Sequence, residues 1–237
     1  IGLIPFFLAW GSFLNVVGYR ILRDQSIILP GSYCPSCKHG LCWYDNIPLI
    51  SYFLLKGKCR YCKKPISYLY PLIEFVTAAS FYAIVLWIDP YYWLAYFFFF
   101  SALIVTIRTD LEQMLISRYA TLLLIPFGWI LSAIDWLPLT LYESVLGSII
   151  GYGILFCVGH IFTRITGKVG MGQGDLELLA FIGSFTGPAG CIMTLFIGST
   201  LGAVIGIAYI SLFKQNRATM IPFGPFLALS AMTYSLF

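Results

Sequence analysis

Long apolar runs separated by short polar breaks fill most of the chain, and one segment departs from that rhythm. Measured against the roughly 20 residues a helix needs to cross a bilayer, the runs predict helices near 3–19, 68–88, 91–107, 119–136, 139–163, 175–187, 189–213 and 221–237. The sixth is short for a crossing and is expected to start inside a cavity. Residues 20–67 contain no apolar stretch long enough to span, and they gather most of the Cys and Lys. The pattern therefore predicts an all-α membrane protein of about eight transmembrane or membrane-embedded helices. Its parts are a first helix over 1–19, a small loop domain over 20–67 and a multi-helix membrane domain over 68–237.

Composition strengthens this reading. Of 237 residues, 59% are hydrophobic and 10% charged, and the mean hydropathy is +0.87. A soluble domain carries about 25% charged residues, so the deficit excludes the soluble class. The run Phe97–Phe100 would be an aggregation hazard in water. Residues 3–19 end in Tyr19-Arg20 with no small-residue cleavage site, which favours an uncleaved first span.

A net charge of +4 is modest, and no nucleic-acid partner is expected. The placement of the charges is more informative. Eight basic residues lie between Arg20 and Lys64; Arg108 and Arg118 flank the third connection, Arg164 and Lys168 the fifth, and Lys214 and Arg217 the seventh. Alternating the eight spans puts all fourteen on one side, with Asp89 and Asp135 on the other. Under the positive-inside rule that side is cytoplasmic and the N-terminus points outward.

The insert of about fifty residues is too small to hold itself together by burial alone. Cys34-Pro-Ser-Cys37 and Cys59-Arg-Tyr-Cys62 are two CxxC pairs separated by 21 residues. Two such pairs make a tetrahedral four-sulfur site suited to Zn²⁺, structural because no coordination position stays open. Lys58 and Lys63-Lys64 supply cations near the thiolates. Disulfides are the alternative, but a cytoplasmic loop is kept reduced. Cys42 has no partner in this scheme, and Cys157 and Cys191 fall in spans as core residues.

Two carboxylates are not explained by solvation. Asp110 follows the apolar run ending at Ile107, and Asp175 follows Gly170-Met-Gly-Gln-Gly174 and opens another. Ionisable groups at membrane depth are costly and usually functional. Two carboxylates in one site share a proton: the ionised one can activate water while the protonated one polarises a peptide carbonyl. Glycines such as Gly172 and Gly174 let a neighbouring helix or an extended substrate approach the backbone. The run is neither a Walker loop nor a dinucleotide fingerprint. Glu112 and Glu177 are rival carboxylates at nearly the same depth, and Glu74 could pair with a basic residue of the loop.

Several segments in order resemble the bacterial type IV prepilin peptidases, membrane aspartyl proteases of the GxGD kind. They are Gly11–Arg20, the double CxxC loop, Tyr44–Tyr52, Pro65–Glu74, Asp110-Leu-Glu112, Gly172-Gln-Gly-Asp175 and Ile221–Phe226. The resemblance implies Asp110 and Asp175 as the catalytic pair and Gly172 and Gly174 as the active-site loop. It implies cleavage of short basic leaders from prepilins or pseudopilins at the bacterial inner membrane. It also implies methylation of the new N-terminus with S-adenosylmethionine, which commonly accompanies the cysteine-bearing loop. The chain departs from the family pattern twice: Glu177 stands where lysine is usual, and Ile116-Ser-Arg118 replaces Ile-Pro-Asp or Ile-Pro-Asn. A like charge at 177 is expected to perturb Asp175. The rival readings are a non-enzymatic scaffold with a zinc-stapled docking loop, and an intramembrane protease acting on other substrates.

Overall fold

The structure is a computed structural model that describes residues 2–168, 170–213 and 221–237. Lys214 and Arg217, placed above in the seventh connection, lie outside the described residues. The chain forms two compact units, Ile1–Leu86 and Trp87–Phe237. Among the described residues, five helices are long and apolar enough to cross a membrane.

In the first unit, α1 (Ile4–Ile21) begins with Pro5 in its first turn, where no helical donor is lost. It crosses α3 (Leu69–Trp87) at Gly11, where a Cβ would come 2.8 Å from Glu74 Cα. Around this crossing the Asn15 amide donates to the Tyr70 carbonyl at 3.0 Å, and Phe7 packs on Phe81. At the end of α1 the buried Arg20 guanidinium donates to the carbonyls of Ser26, Pro30 and Gly31 at 2.7–3.0 Å. One side chain thus folds residues 26–31 back on the helix end. Glu74 accepts from the backbone N–H of Leu49, at 2.8 Å, just before the short helix α2 (Ile50–Leu54). Its described partner is a backbone amide at a positive-φ turn, rather than a loop cation.

In the second unit, α4 (Trp93–Gln113) is the most enclosed of the long helices. Phe99 stacks on Phe185 at 4.6 Å and meets Phe181 at 5.4 Å, and all three are fully buried. The helix runs six residues past its expected end, so Asp110 lies in its last turn. Met114 closes it in the left-handed region, donating its N–H to the Asp110 carbonyl. α5 (Ile125–Ala133) is shorter than the expected 119–136, because a 3₁₀ turn occupies Leu122–Leu124 and Pro126 sets the helix start. α8 (Gly224–Leu236) is likewise delayed by Pro222, Gly224 and Pro225. Its 13 residues rise about 20 Å, against a hydrocarbon core of about 30 Å.

α6 (Leu141–Thr166) starts in a reciprocal capping box between Thr140 and Glu143 and stops at Gly167 in the left-handed region. α7 (Gln173–Phe213) is broken at Gly187, whose φ of 69° and ψ of −175° belong to a region that only glycine adopts readily, and Pro188 follows. The break separates two arms, matching the expected division into 175–187 and 189–213. Among the described residues, the most extensive helix–helix contact joins α6 and α7. Backbones touch there: a Cβ on Gly147 would collide with the Gly183 carbonyl, and one on Gly183 with the Gly147 carbonyl. Ser144 Oγ donates across the seam to the Ser184 carbonyl at 2.6 Å, and Trp129 Nε1 ties α5 to Ser148 at 3.0 Å. Close small-residue packing with interhelical hydrogen bonds is how helices associate where lipid removes the hydrophobic drive.

This seam can be tested by substitution. Gly183→Val should destabilise the chain by about 1–3 kcal/mol or more, because backbone would have to move. Gly153 lies on the same α6 with nothing near its missing Cβ, so Gly153→Ala should be neutral or stabilise by about 0.5–1 kcal/mol. Thermal melts in detergent compare the two.

Candidate functional site

The second unit draws several glycines and two acids into one corner. Asp110, 5% exposed at the end of α4, accepts the backbone N–H of Gly224 at 2.9 Å. That amide belongs to the first turn of α8, where helical N–H groups lack intrahelical partners and suit a carboxylate. A Cβ on Gly224 would lie 2.8 Å from Asp110 Oδ2, so only glycine lets the amide come this close. Asp175 occupies the first turn of α7 and is half-buried. Its own N–H bonds the Gly172 carbonyl at 3.2 Å. A Cβ on Gly172 would stand 3.3 Å from Asp175 Oδ2.

Ile116 links the two sides. Its side chain packs where a Cβ on Gly174 would fall, at 2.8 Å, and its Cδ1 lies 3.2 Å from the missing Cβ of Gly224. The glycine loop before Asp175 and the helix start that holds Asp110 therefore press on one isoleucine. Gly224 and Gly174, the neighbours of Asp110 and Asp175, thus border the same isoleucine. Ile116 and Gly224 were not singled out as site residues from sequence. Their signal was the motifs that contain them, Ile116-Ser-Arg118 and Ile221–Phe226, which carried a resemblance without a stated role.

The rival acids are otherwise engaged. Glu112 pairs with the buried Arg108 one turn back on α4. Glu177 is 2% exposed and accepts from Arg118 Nε at 3.1 Å and Nη2 at 2.9 Å. Gln173 Nε2 donates to the same oxygen at 3.3 Å and contacts Tyr152 Oη at 3.2 Å. The two departures from the family pattern thus meet in one ion pair. The charge of Glu177, expected to perturb Asp175, has a countercharge in Arg118.

The first unit holds the four cysteines. Cys34, Cys37, Cys59 and Cys62 have all sulfurs within 4.8 Å of one another, and none is in a disulfide. The two CxxC turns repeat one hydrogen-bond pattern. Cys34 N–H bonds His39 O and Lys38 N–H bonds Cys34 O; Cys59 N–H bonds Lys64 O and Lys63 N–H bonds Cys59 O. Lys38 and Lys63 both have φ of 59°. The backbone N–H of Cys62, with that of Tyr61, brings the Cys59 thiol down to about 7. The Sγ atoms of Cys34 and Cys62 are 3.9 Å apart, close to the roughly 3.8 Å edge of a tetrahedron built on Zn–S bonds of about 2.3 Å. The cluster can hold a metal ion.

Comparison with known proteins agrees with both units. The sequence profile of the Bacterial Peptidase A24 N-terminal domain matches residues 6–88, and that of the Type IV leader peptidase family matches residues 97–207. The prepilin leader peptidase/N-methyltransferase of Aeromonas hydrophila is 34% identical over 95% of this chain and 86% of its own length. The chain belongs to the type IV leader peptidase family. A relative of the same description from Xanthomonas campestris pv. campestris is 36% identical over 93% of this chain and 85% of its own. The type 4 prepilin-like proteins leader peptide-processing enzyme of Escherichia coli O78:H11 is 32% identical over 94% and 88%. No solved structure matches the chain. With five membrane-capable helices among its described residues, this family member is a membrane protein.

Proposed function

We propose that this chain is a membrane aspartyl endopeptidase that removes the short basic leader of prepilins or pseudopilins and then methylates the new N-terminus. The observation that supports the protease reading is that Gly174, beside Asp175, and Gly224, which donates to Asp110, both pack on Ile116. With one proton between the pair, the ionised carboxylate takes a proton from water as it attacks the scissile carbonyl. The protonated partner donates to the carbonyl oxygen, and proton return to the leaving nitrogen completes hydrolysis. The Gly224 amide fixes the orientation of the Asp110 carboxylate. The open backbone at Gly172 leaves room for an extended leader segment.

Cys34, Cys37, Cys59 and Cys62 would hold structural Zn²⁺. Four thiolates complete its coordination, and the ion supplies the folding energy that a fifty-residue loop cannot draw from a core. S-adenosylmethionine, the methyl donor of the second activity, would supply an electrophilic methyl group. A cavity of about 510 Å³ in the first unit, lined by Ser12, Phe13, Val16, Arg20 and Asn46 among others, has the volume for such a ligand. Its lining lacks a carboxylate, and the Arg20 guanidinium is committed to loop carbonyls, so these residues do not fit as the donor site. Methylation is therefore supported by the names of the relatives alone.

The orientation follows from charge. Counting 119–136 and 175–187 as crossings, the fourteen Lys and Arg share one side, which supports an outward N-terminus and an active site at the cytoplasmic face of the bacterial inner membrane.

Three outcomes test this reading. Asp110→Asn and Asp175→Asn should each lower leader cleavage in a membrane assay by about 10²–10⁴-fold while the protein still accumulates; cleavage retained in either variant removes the assignment. Gly224→Ala should slow cleavage by about 10-fold or more, since its methyl displaces the Asp110 carboxylate from its donor; wild-type turnover would show that this hydrogen bond has no part in the site. Metal analysis should find about one zinc per chain, lost in Cys34→Ser and Cys59→Ser. Zinc should be retained at neutral pH and released on acidification, because each thiolate must take back a proton. Blocked thiols without metal would instead indicate disulfides.

A further inference from the structure

We infer that Arg118 and Glu177 form a positioning clamp that sets the separation of the two aspartates, an inference that rests on reading Asp110 and Asp175 as the catalytic pair. The two acids stand on different elements, one in the last turn of α4 and the other in the first turn of α7. Local chain geometry cannot hold them in register. The segment that joins their surroundings is the loop between α4 and α5. From it, Arg118 directs Nε and Nη2 at one oxygen of Glu177, two residues beyond Asp175. Gln173, two residues before Asp175, donates to the same oxygen and reaches Tyr152 on α6. Ile116 packs against both Gly174 and Gly224, the second of which donates to Asp110. The neighbours of each aspartate are thus fastened to one short loop.

The distribution of burial shows that the tie is more than adhesive. Glu177 is 2% exposed, while the Arg118 side chain is 67% exposed. Glu177 Oε2 is buried and has no hydrogen-bond partner among the described residues. A buried carboxylate with an outlying countercharge and an unmatched oxygen is an inefficient fastener; an apolar pair of similar volume would hold a loop at least as well. What the ion pair adds is direction. Two N–H groups of a planar guanidinium converging on one oxygen restrict both the approach angle and the register of the loop along α7. Catalytic constellations need that restriction, to about 0.5 Å. Among the described residues their partners are each other and Gln173, so both act by placing Asp175 relative to Asp110.

The experiment uses the full chain in detergent or membranes with a leader-bearing prepilin, and reads kcat, KM and the melting temperature. Arg118→Gln strands the buried carboxylate and should lower kcat by about 10–100-fold with KM within about threefold, as a misplacement near 1 Å does. Glu177→Gln should cost less, and the Arg118→Gln/Glu177→Gln double no more than Glu177→Gln alone, since the stranded charge is then gone. The reversed pair, Arg118→Glu with Glu177→Arg, should return kcat to within about fivefold of the starting protein. Wild-type kcat in Arg118→Gln, or a reversed pair as slow as that single variant, overturns the clamp. Should the reversed pair fail to fold, Arg118→Lys decides: charge without the fork should lower kcat about 3–10-fold at an unchanged melting temperature. A kcat that falls only in step with the melting temperature makes the pair structural and overturns the proposal. Full cleavage in Asp110→Asn would instead overturn the catalytic reading, whatever the clamp variants do.

Discussion

Gly147 and Gly183 bring α6 and α7 together backbone to backbone, and the position of Asp175 depends on that contact. A helix that starts at Gln173 has an unconstrained direction until something nearby fixes its axis. Here the axis is fixed twice, once along the glycine seam and once by the Ser144 hydroxyl on the Ser184 carbonyl. Phe181 and Phe185 on the same arm then pack on Phe99 of α4, so the arm is held between the two helices. Gly187 completes the constraint by ending the arm: its dihedrals release the chain into a second arm that packs on α8. α8 in turn presents the Gly224 amide to Asp110. The geometry of the acid pair is therefore a consequence of helix packing some distance from it.

The first unit solves a different problem with different means. Its loop has few buried apolar side chains: Ile28, Leu29, Trp43, Phe53 and Leu54 are all largely exposed. Order comes from polar and sulfur chemistry instead. Arg20 gathers the carbonyls of residues 26–31, Glu74 satisfies the Leu49 amide, and two matching CxxC turns bring four sulfurs into one cluster. Each of these is a directional interaction among few atoms, which suits a segment too short to bury a core. The repeated left-handed lysines at 38 and 63 show that the two turns share one backbone solution.

Much of this was legible from hydropathy and spacing, and the failures have physical causes. Apolar runs located the long helices because a bilayer demands length, and the runs over 175–187 and 189–213 part where Gly187 breaks α7. Doubled CxxC spacing pointed to the sulfur cluster because two short turns are the simplest route to four ligands. Hydropathy overstated α5 and α8, since Leu122–Leu124 is as apolar as a helix yet forms a 3₁₀ turn, and prolines delay the start of α8. It also could not show that α4 continues past Ile107 through Arg108, because the buried Arg108 pairs with Glu112 one turn on. Gly224 was invisible as a site residue for a similar reason. A backbone amide has no letter of its own, and its partner lies 114 positions away.

The treatment of Glu177 shows why substitutions near a site must be read in pairs. Taken singly, an acid in place of the usual lysine adds a negative charge two residues from Asp175, and a net electrostatic penalty follows. The fold places Arg118 against it, so the added charge is balanced locally and the loop is fastened with the opposite polarity. A guanidinium can lie at the surface and still reach inward, because its long stem packs along apolar neighbours while the head stays hydrated. A buried carboxylate has no such freedom; once at position 177, it requires a cation of long reach on the facing loop. Arg118 meets that requirement where the usual Asp or Asn would leave two acceptors facing each other. Position 177 is therefore read together with position 118, which holds its countercharge.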